Sequence, residues 1–426
     1  MRLLHIADIH FGIETYSRVD PQTGYPTRLL DFMYAFDRAI ETAMEMGVDA
    51  VLFAGDAYKS RDPNPTVQRE FAQRIQRLAS NGIPVYLLTG NHDLPSISNR
   101  AHAIEIFQTL HVPNVYVARE IGLTLIKTKS GPLQVVALPW VTRAGLIAKE
   151  EYRGKAMEEL NELMTVRITN ALNAFITKLD PQIPAVLAAH ATIAGSVFGL
   201  ERSIMLGQDL VIQKSMLSAS RFDYVAVGHI HKHQHYEVDG VSIVYPGSIE
   251  RIDFGEEKED KGFVIVDIND QGGGRASRNT TWAFHADHQT RPFRTLELDI
   301  KQVESDGLVT PTTAIIQALQ REASKWENGL NEAIVRLKIK LRPEQEGQVR
   351  EDEIRRVLHE MKVYLVAAIS REVDKPRRTR LAGLEVEELT PLQLLEKYLQ
   401  SKQVDSRRIE ILLKHARDII NPIGSQ

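Results

Sequence analysis

In the first half of the chain, short unbroken apolar runs alternate with stretches whose apolar residues recur every three or four positions. The runs Arg2-Leu-Leu-His-Ile-Ala7, Ala50-Val-Leu-Phe-Ala54, Val85-Tyr-Leu-Leu-Thr89, Val135-Val-Ala-Leu138, Ala185-Val-Leu-Ala-Ala189 and Tyr224-Val-Ala-Val227 read as buried strands, because a strand covered on both faces shows no polar alternation. Phe32, Phe36, Ala39, Ile40 and Ala43 share one helical face, and Gly47 stands where a C-terminal cap belongs. A second helix is predicted from Thr66 to Ser80, ended by Asn81-Gly82. Strands and helices in this order predict an α/β fold.

The pattern changes further along. Asn269-Asp-Gln-Gly-Gly-Gly274 is turn chemistry and predicts a hairpin tip. Beyond a boundary placed near residue 288, strand-like segments at 296–300 and 334–341 and helical ones at 313–325 and 351–361 predict a smaller α+β domain. After the basic stretch Lys375-Pro-Arg-Arg-Thr-Arg380, Thr390-Pro391 makes an N-cap and first-turn pair ahead of Leu392, Leu395 and Leu399. Asp405 or Ser406 opens another amphipathic helix carrying Ile409, Leu412 and Leu413. The organisation predicted is therefore residues 1–288, 289–375 and 376–426, the last a linker with a helical pair that covers either the protein's own core or a partner.

Composition narrows the chemistry. The 426 residues contain no cysteine, which excludes disulfide scaffolds, thiolate zinc sites and cysteine nucleophiles together. No long apolar run or charged-then-apolar leader occurs, so a cytoplasmic protein that does not span a membrane is expected. With 52 Lys and Arg against 56 Asp and Glu, the net charge is −4. No overall basic footprint announces nucleic acid, although a local basic surface suffices for binding.

The informative residues stand immediately after the predicted strands. These are Asp8 and His10, then Gly55-Asp56, then Gly90-Asn91-His92-Asp93, then His190, and last Gly228-His229-Ile-His231. Any one alone reads as an ordinary turn or core residue, the reading given to His5, His102, His111, His233, His235, His285, His288, His359 and His415. Histidines after several separate strands are not explained by turn chemistry. α/β sheets gather functional groups at the carboxyl ends of their strands, so a metal site is predicted. One first-row cation takes about four to six ligands, fewer than this set offers, and Asp56 can bridge. Two divalent cations follow, and imidazole mixed with carboxylate and amide suits Mn²⁺, Fe or Zn²⁺ better than an all-oxygen Mg²⁺ or Ca²⁺ shell, with Mn²⁺ the one expected.

Asp8-x-His10, Gly55-Asp56, Gly90-Asn91-His92-Asp93, His190 and Gly228-His229-x-His231, in this order, resemble the motif set of the calcineurin-like metallophosphoesterases. Leu4-His-Ile-Ala-Asp-Ile-His-Phe-Gly12, Arg202-Ser-Ile-Met-Leu-Gly207 and Tyr245-Pro-Gly-Ser-Ile-Glu-Arg251 resemble, more narrowly, the SbcD-type nuclease subunits of bacterial double-strand-break repair. The resemblance covers residues 1–270 well and the remainder by arrangement. It implies a β-sandwich flanked by helices, with a capping α+β domain and a C-terminal helical segment.

It also implies roles. Asp8, His10, Asp56 and His231 would hold one metal ion; Asp56, Asn91, His190 and His229 would hold the other. His92 would be the general acid or phosphate contact. Family members often carry an acidic residue or His three positions after the Gly-Asp aspartate, where this chain has Lys59. Tyr58 or Asp62 are then candidates to orient His92, with Lys59 a phosphate contact or simply solvated. The implied partners are DNA ends, single-stranded DNA, an SbcC-like SMC-family ATPase docking on the C-terminal helices, and a second copy of the chain. Phe71, Ile75, Leu78, Ile104 and Phe107 offer a dimer seam or an internal core, and Arg18, Arg28, Arg61, Arg100 and Arg251 are candidate phosphate contacts. The expected activity is double-strand exonuclease and single-strand endonuclease cleavage. The alternatives are a small-molecule phosphodiesterase or phosphatase with the same metal core, and a scaffold that holds DNA ends without cutting.

Overall fold

The computed structural model describes residues 1–95, 100–142, 154–199, 210–217, 219–302, 309–373, 390–402 and 404–420. The chain divides into two compact units, the first comprising 1–296, 325–336 and 358–368, the second 297–324, 337–357 and 369–426. Two segments singled out in the sequence, Arg202–Gly207 and Lys375–Arg380, lie outside the described residues.

In the first unit the strands and helices follow in the order β1 (Arg2–Ile6), α1 (Thr27–Glu45), β2 (Ala50–Phe53), α2 (Pro65–Ser80), β3 (Val85–Leu88), α3 (Glu105–Thr109), β4 (Val115–Ala118), β5 (Gly122–Thr128), β6 (Gly131–Leu138), α4 (Met157–Ile176), β7 (Ala185–His190), β8 (Thr192–Ile193), β9 (Val211–Ile212), β10 (Tyr224–Gly228), β11 (Gln234–Val238), β12 (Val241–Tyr245), β13 (Gly262–Asp270) and β14 (Arg278–Ala286). They build two six-stranded sheets, ordered β14-β13-β1-β2-β3-β4 and β11-β12-β10-β7-β6-β5. Strands β1 to β4 run parallel, with Leu3 opposite Ala50 and Val51 opposite Val85. So do β6, β7, β10 and β12 of the second sheet. The hairpins β13–β14 and β5–β6 are antiparallel, and the tip of the first is the predicted Asn269–Gly274 turn.

The expected sandwich arises from the alternation of side chains along each strand. Leu3, Ala50, Leu52 and Tyr86 on one sheet share a core with Val135, Val186, Ala188 and Ala226 on the other. The opposite faces point to helices. Leu4, Ile6, Val51, Phe53, Val85 and Leu87 pack with Phe32, Phe36 and Ile40 of α1 and Phe71, Ile75 and Leu78 of α2. Leu187, Ala189, Val225 and Val227 pack with Ile168, Leu172 and Ile176 of α4. Helix α1 ends as expected, with Gly47 at φ 60°, and α2 is capped by Asn64, whose Oδ1 accepts from the Val67 amide at 2.9 Å.

The structure decides between the two readings of the apolar helix residues. Phe71, Ile75, Leu78, Ile104 and Phe107 are buried in the first unit's own core, so none supplies a dimer seam. The six strands read from the sequence are present, and β4, β5, β11, β12, β13 and β14 add to them; of these, β5, β11 and β14 are half-exposed and mix charged with apolar residues.

Strands β15 (Phe293–Asp299), β16 (Ile334–Leu341) and β17 (Leu365–Val373) form a further sheet in that order. The second unit contains α5 (Pro311–Ala323), the single turn α6 (Pro343–Glu346), most of α7 (Glu351–Glu360), α8 (Pro391–Ser401) and α9 (Ser406–Ile420). Alternate β16 residues Leu337, Ile339 and Leu341 are buried, as are Ile315 and Leu319 of α5 and Ile354 of α7. Helices α8 and α9 contact each other. Thr390 caps α8 as expected, its hydroxyl accepting from the Gln393 amide. Ile409 is buried in this pair, whereas Tyr398, Ile411 and Leu412 stay exposed. Among the described residues, no helix is long and apolar enough to cross a membrane.

Candidate metal centre

Because β1, β2 and β3 are parallel neighbours, their carboxyl ends lie along one edge of the first sheet; β7 and β10 end likewise on the second. The site residues therefore come from two stacked sheets, not one open sheet. The two edges are tied by side chains. Both carboxylate oxygens of Asp8 accept from the His229 amide at 3.0 Å, and the Ala54 carbonyl accepts from His190 Nδ1 at 2.7 Å. Between the β1 and β2 ends, the Asp8 and His10 amides donate to the Gly55 and Asp56 carbonyls at 3.0 and 3.1 Å.

The backbone is bent to make this possible. Asp8, His10 and Asp56 sit at φ 53°, 52° and 59°, and His229 at 105°, in a region that costs a non-glycine residue about 1–3 kcal/mol and is met at functional sites. Gly90 is required by a close approach, since a Cβ there would lie 2.1 Å from Asp56 Oδ1.

The predicted residues converge. His10 Nε2 faces His231 Nε2 at 3.0 Å. Asp56 Oδ2 lies 3.6 Å from His10 Nε2 and 3.5 Å from His190 Nε2, placing it between the two histidines. Asn91 Oδ1 lies 3.0 Å from His190 Nε2 and 3.1 Å from His229 Nδ1. Potential ligand atoms of Asp8, His10 and His231, of His10, Asp56 and His92, and of Asp8, Asp56 and His190 fall within 4.8 Å of one another. Asp8, His10, Asp56 and His190 are each no more than 1% exposed.

The donor chemistry fits cations. His190 meets a carbonyl through Nδ1, and His231 Nδ1 meets Glu256 Oε1 at 2.8 Å. An acceptor on Nδ1 fixes the proton there and turns the Nε2 lone pair towards the cluster. Without a cation the cluster is electrostatically strained. Burial, reinforced by neighbouring Asp56, pushes the Asp8 carboxyl up to about 7. Burial also lowers His10 well below the usual imidazole range. For Asp56 burial acts upward, but the charge and hydrogen bond of His190 outweigh it and hold the carboxyl well below its ordinary value. His190 is correspondingly raised to about 9: burial opposes its charge, and Asp56 prevails. A divalent ion would take over the charge balance that protons supply here.

His92 is held differently. Its amide donates to Asp56 Oδ1 at 2.8 Å, and its Nδ1 meets the Lys59 main-chain carbonyl at 3.0 Å, leaving Nε2 for chemistry. Its ring meets that of His10 edge-on, with centroids 4.8 Å apart. Neither suggested side chain orients it. Tyr58 is buried against Phe71, and Asp62 is exposed and pairs with Arg100 at 3.2 Å. Since the contacts of residue 59 are made by its main chain, the carbonyl to His92 and the amide to Phe11, Lys59→Ala is expected to leave stability and turnover within about twofold, the range of exposed substitutions. A larger fall in kcat would place the ammonium group on substrate.

Three supporting residues carry no distinguishing signal in the sequence. The Asp93 carboxylate accepts amides from Asp56 at 2.9 Å, Ala57 at 3.0 Å, Tyr58 at 3.4 Å and Gly90 at 2.9 Å, and so fixes the β2 and β3 loops against each other. Burial and the charge of Asp56 push it up to about 7. Trp140 lies over His229, centroids 4.7 Å apart. Glu256 holds His231; burial acts upward on its carboxyl, but Lys261 and His231 hold it well below the usual range. Among the phosphate candidates, Arg28 is buried, with Nη1 2.6 Å from Asp31 and its guanidinium against Phe32 and Phe293. Arg251 donates to Thr290 Oγ1 at 2.7 Å and the Glu259 carbonyl at 2.8 Å. Both are built into the fold, which removes Arg28 from the surface and ties Arg251 to neighbours within the unit.

Residues 1–233 match the family model of the calcineurin-like phosphoesterases. The chain is 29% identical over 257 residues to the DNA double-strand break repair protein Mre11 of Archaeoglobus fulgidus, covering 60% of this chain and 52% of that one. It is 25% identical over 276 residues to the SbcD subunit of the nuclease SbcCD of Staphylococcus saprophyticus, covering 64% of this chain and 66% of that protein. To the SbcD protein of Bacillus subtilis it is 26% identical over 273 residues, covering 63% and 66%. The matched stretch thus spans between about half and two thirds of each relative.

Proposed function

Because this chain belongs to the calcineurin-like phosphoesterase family, we propose that it is a two-cation DNA nuclease, degrading duplexes from their ends and cutting single strands internally. The observation that carries the reading is the convergence of buried Asp8, four strand-end histidines and Asn91 around Asp56. The similarity to Mre11 and to the SbcD proteins supports DNA as the substrate and an SbcC-like SMC-family ATPase as partner. The setting would be the cytoplasm, at the nucleoid.

In this reading Asp8, His10, Asp56 and His231 hold one cation, and Asp56, Asn91, His190 and His229 hold the other; the mixed donor set suits Mn²⁺, Fe or Zn²⁺, of which we propose Mn²⁺. When bound, the pair supplies Lewis acidity towards a phosphoryl oxygen and a nucleophile at neutral pH. The chain's own residues do the rest. His92, its Nδ1 held by the Lys59 carbonyl, presents Nε2 to the leaving oxygen or to a phosphoryl oxygen. Asp93 keeps the His92 and Asp56 loops in register. Trp140 packs against the His229 ring and would steady it. Residues 289–375 would cap the site and hold DNA, and the helical pair within 376–426 would dock on the ATPase through the apolar residues it leaves exposed. A homodimer would bring two such sites to one surface; its seam would use residues outside the core, among which Ile106 and Leu110 are exposed.

The test uses end-labelled single- and double-stranded DNA and a bis-aryl phosphodiester in Mn²⁺, Mg²⁺ or EDTA, with and without the ATPase. Single-strand cleavage that needs Mn²⁺, and duplex cleavage that also needs the partner, are expected. Hydrolysis of the small diester with no DNA cleavage even beside the partner would favour the small-substrate phosphodiesterase. Removing residues 384–426 should abolish co-purification with the ATPase and spare single-strand cleavage; retained binding would return the helices to the chain's own packing.

A further inference from the structure

One histidine of the centre is wrapped by a segment that the reaction itself does not use. After β12 the chain turns at Gly247, φ 79°, where a Cβ would lie 2.5 Å from the His231 carbonyl oxygen and 2.8 Å from the His233 amide nitrogen. The Ser248 amide donates to that same carbonyl at 3.0 Å, and so does Lys261 Nζ, also at 3.0 Å. Glu256 takes the other end of the residue, Oε1 accepting from His231 Nδ1 at 2.8 Å. Its second oxygen is held by Lys261 Nζ at 2.8 Å, the Ile252 amide at 3.0 Å and Ser248 Oγ at 3.3 Å. Lys261 also pairs with Glu259 at 2.8 Å.

Lys261 is 1% exposed and Glu256 4%. Burying such charges costs several kcal/mol per ion before pairing, and well-packed apolar residues commonly serve stability as well or better. What an apolar pair could not do is bond both the ring nitrogen and the main-chain oxygen of one histidine. In the other half of the centre, His190 Nδ1 meets the neutral Ala54 carbonyl instead of a carboxylate. A carboxylate behind a ligating imidazole fixes its tautomer and plane and raises its basicity.

We infer that Glu256 and Lys261 are positioning residues that set cation affinity at the His10–His231 half of the centre, separately from the His190–His229 half. The inference rests on the two-cation reading above. It makes the two positions unequal by construction, with the charge-supported histidine in one of them.

The test is Mn²⁺ titration of the full chain by calorimetry, with electron paramagnetic resonance of the bound ions and a thermal melt for each variant. In Lys261→Met/Glu256→Gln both charges leave together, and the glutamine carbonyl can still accept from His231. The wild type should take two ions. The folded variant should keep one at unchanged affinity and lose about 10–100-fold at the other, the usual cost of removing an outer partner of a metal ligand, with the spin-coupled signal replaced by that of a single ion. Glu256→Asp, which keeps the charge opposite Lys261 but withdraws the carboxylate from the ring, should show the same one-sided loss and carries the test if the neutral pair does not fold. A folded variant that binds both ions as the wild type does, or loses both equally, would overturn the inference. A wild type that does not take two ions would instead sink the two-cation reading.

Discussion

Asp56→Asn is expected to lower cation-dependent phosphodiester cleavage by about three to four orders of magnitude while the chain stays folded. Asp56 lies between the two halves of the centre, with Oδ2 within 3.6 Å of His10 and 3.5 Å of His190. Asparagine is isosteric, so its carbonyl can replace Oδ1 as the acceptor for the His92 amide, now at 2.8 Å, and preserve the loop. What it removes is the negative charge between His10 and His190. Lewis-acid stabilisation by bound ions is worth several kcal/mol in the transition state, and about 1.36 kcal/mol is tenfold in rate. Single-turnover cleavage of labelled single-stranded DNA in saturating Mn²⁺, beside circular dichroism of the same sample, measures both halves of the expectation. Activity within tenfold of wild type would mean that Asp56 does not hold the ions.

Asp93→Ala should cost stability rather than chemistry alone, by about 3–5 kcal/mol. The Asp93 carboxylate is 3% exposed and satisfies amides of Asp56, Ala57, Tyr58 and Gly90. Truncation leaves these donors without their acceptor, at about 1–3 kcal/mol for each one that finds no substitute. The sum is less than additive because the loop can shift and admit water. A loss of this size is a large share of the roughly 5–15 kcal/mol that holds a domain folded. Urea denaturation gives the number, and Asp93→Asn, which keeps one acceptor oxygen, should fall between. A loss under about 1 kcal/mol would show that the loops hold their shape without Asp93.

Lys59 and Asp93 show how legibility divides. The role of Lys59 in the fold is played by a main-chain carbonyl that any residue carries, so side-chain identity held no signal there. Asp93 is visible within the Gly90–Asp93 turn but not separable from ordinary turn chemistry, because its four donors come mostly from a strand end more than 30 residues earlier. Glu256 and Lys261 stand in a run rich in charged residues, Glu256-Glu-Lys-Glu-Asp-Lys261, which reads as solvated surface. Arg28 shows the converse, an arginine that pattern offers to phosphate and the fold buries against Asp31.

The sequence by itself determined the buried parallel strands, the helices that cover them, and the identity of the residues standing at the strand ends. It could do so because both depend on local order: two-sided burial demands unbroken apolar runs, and a site residue is marked by where its strand stops. Only the tertiary structure decided that those ends come from two stacked sheets, that His10 meets His231 across 221 positions, and which group stands behind each imidazole. The antiparallel hairpins that widen the sheets were settled there too. Such contacts are fixed by how sheet faces stack and how loops return, and no local periodicity encodes either.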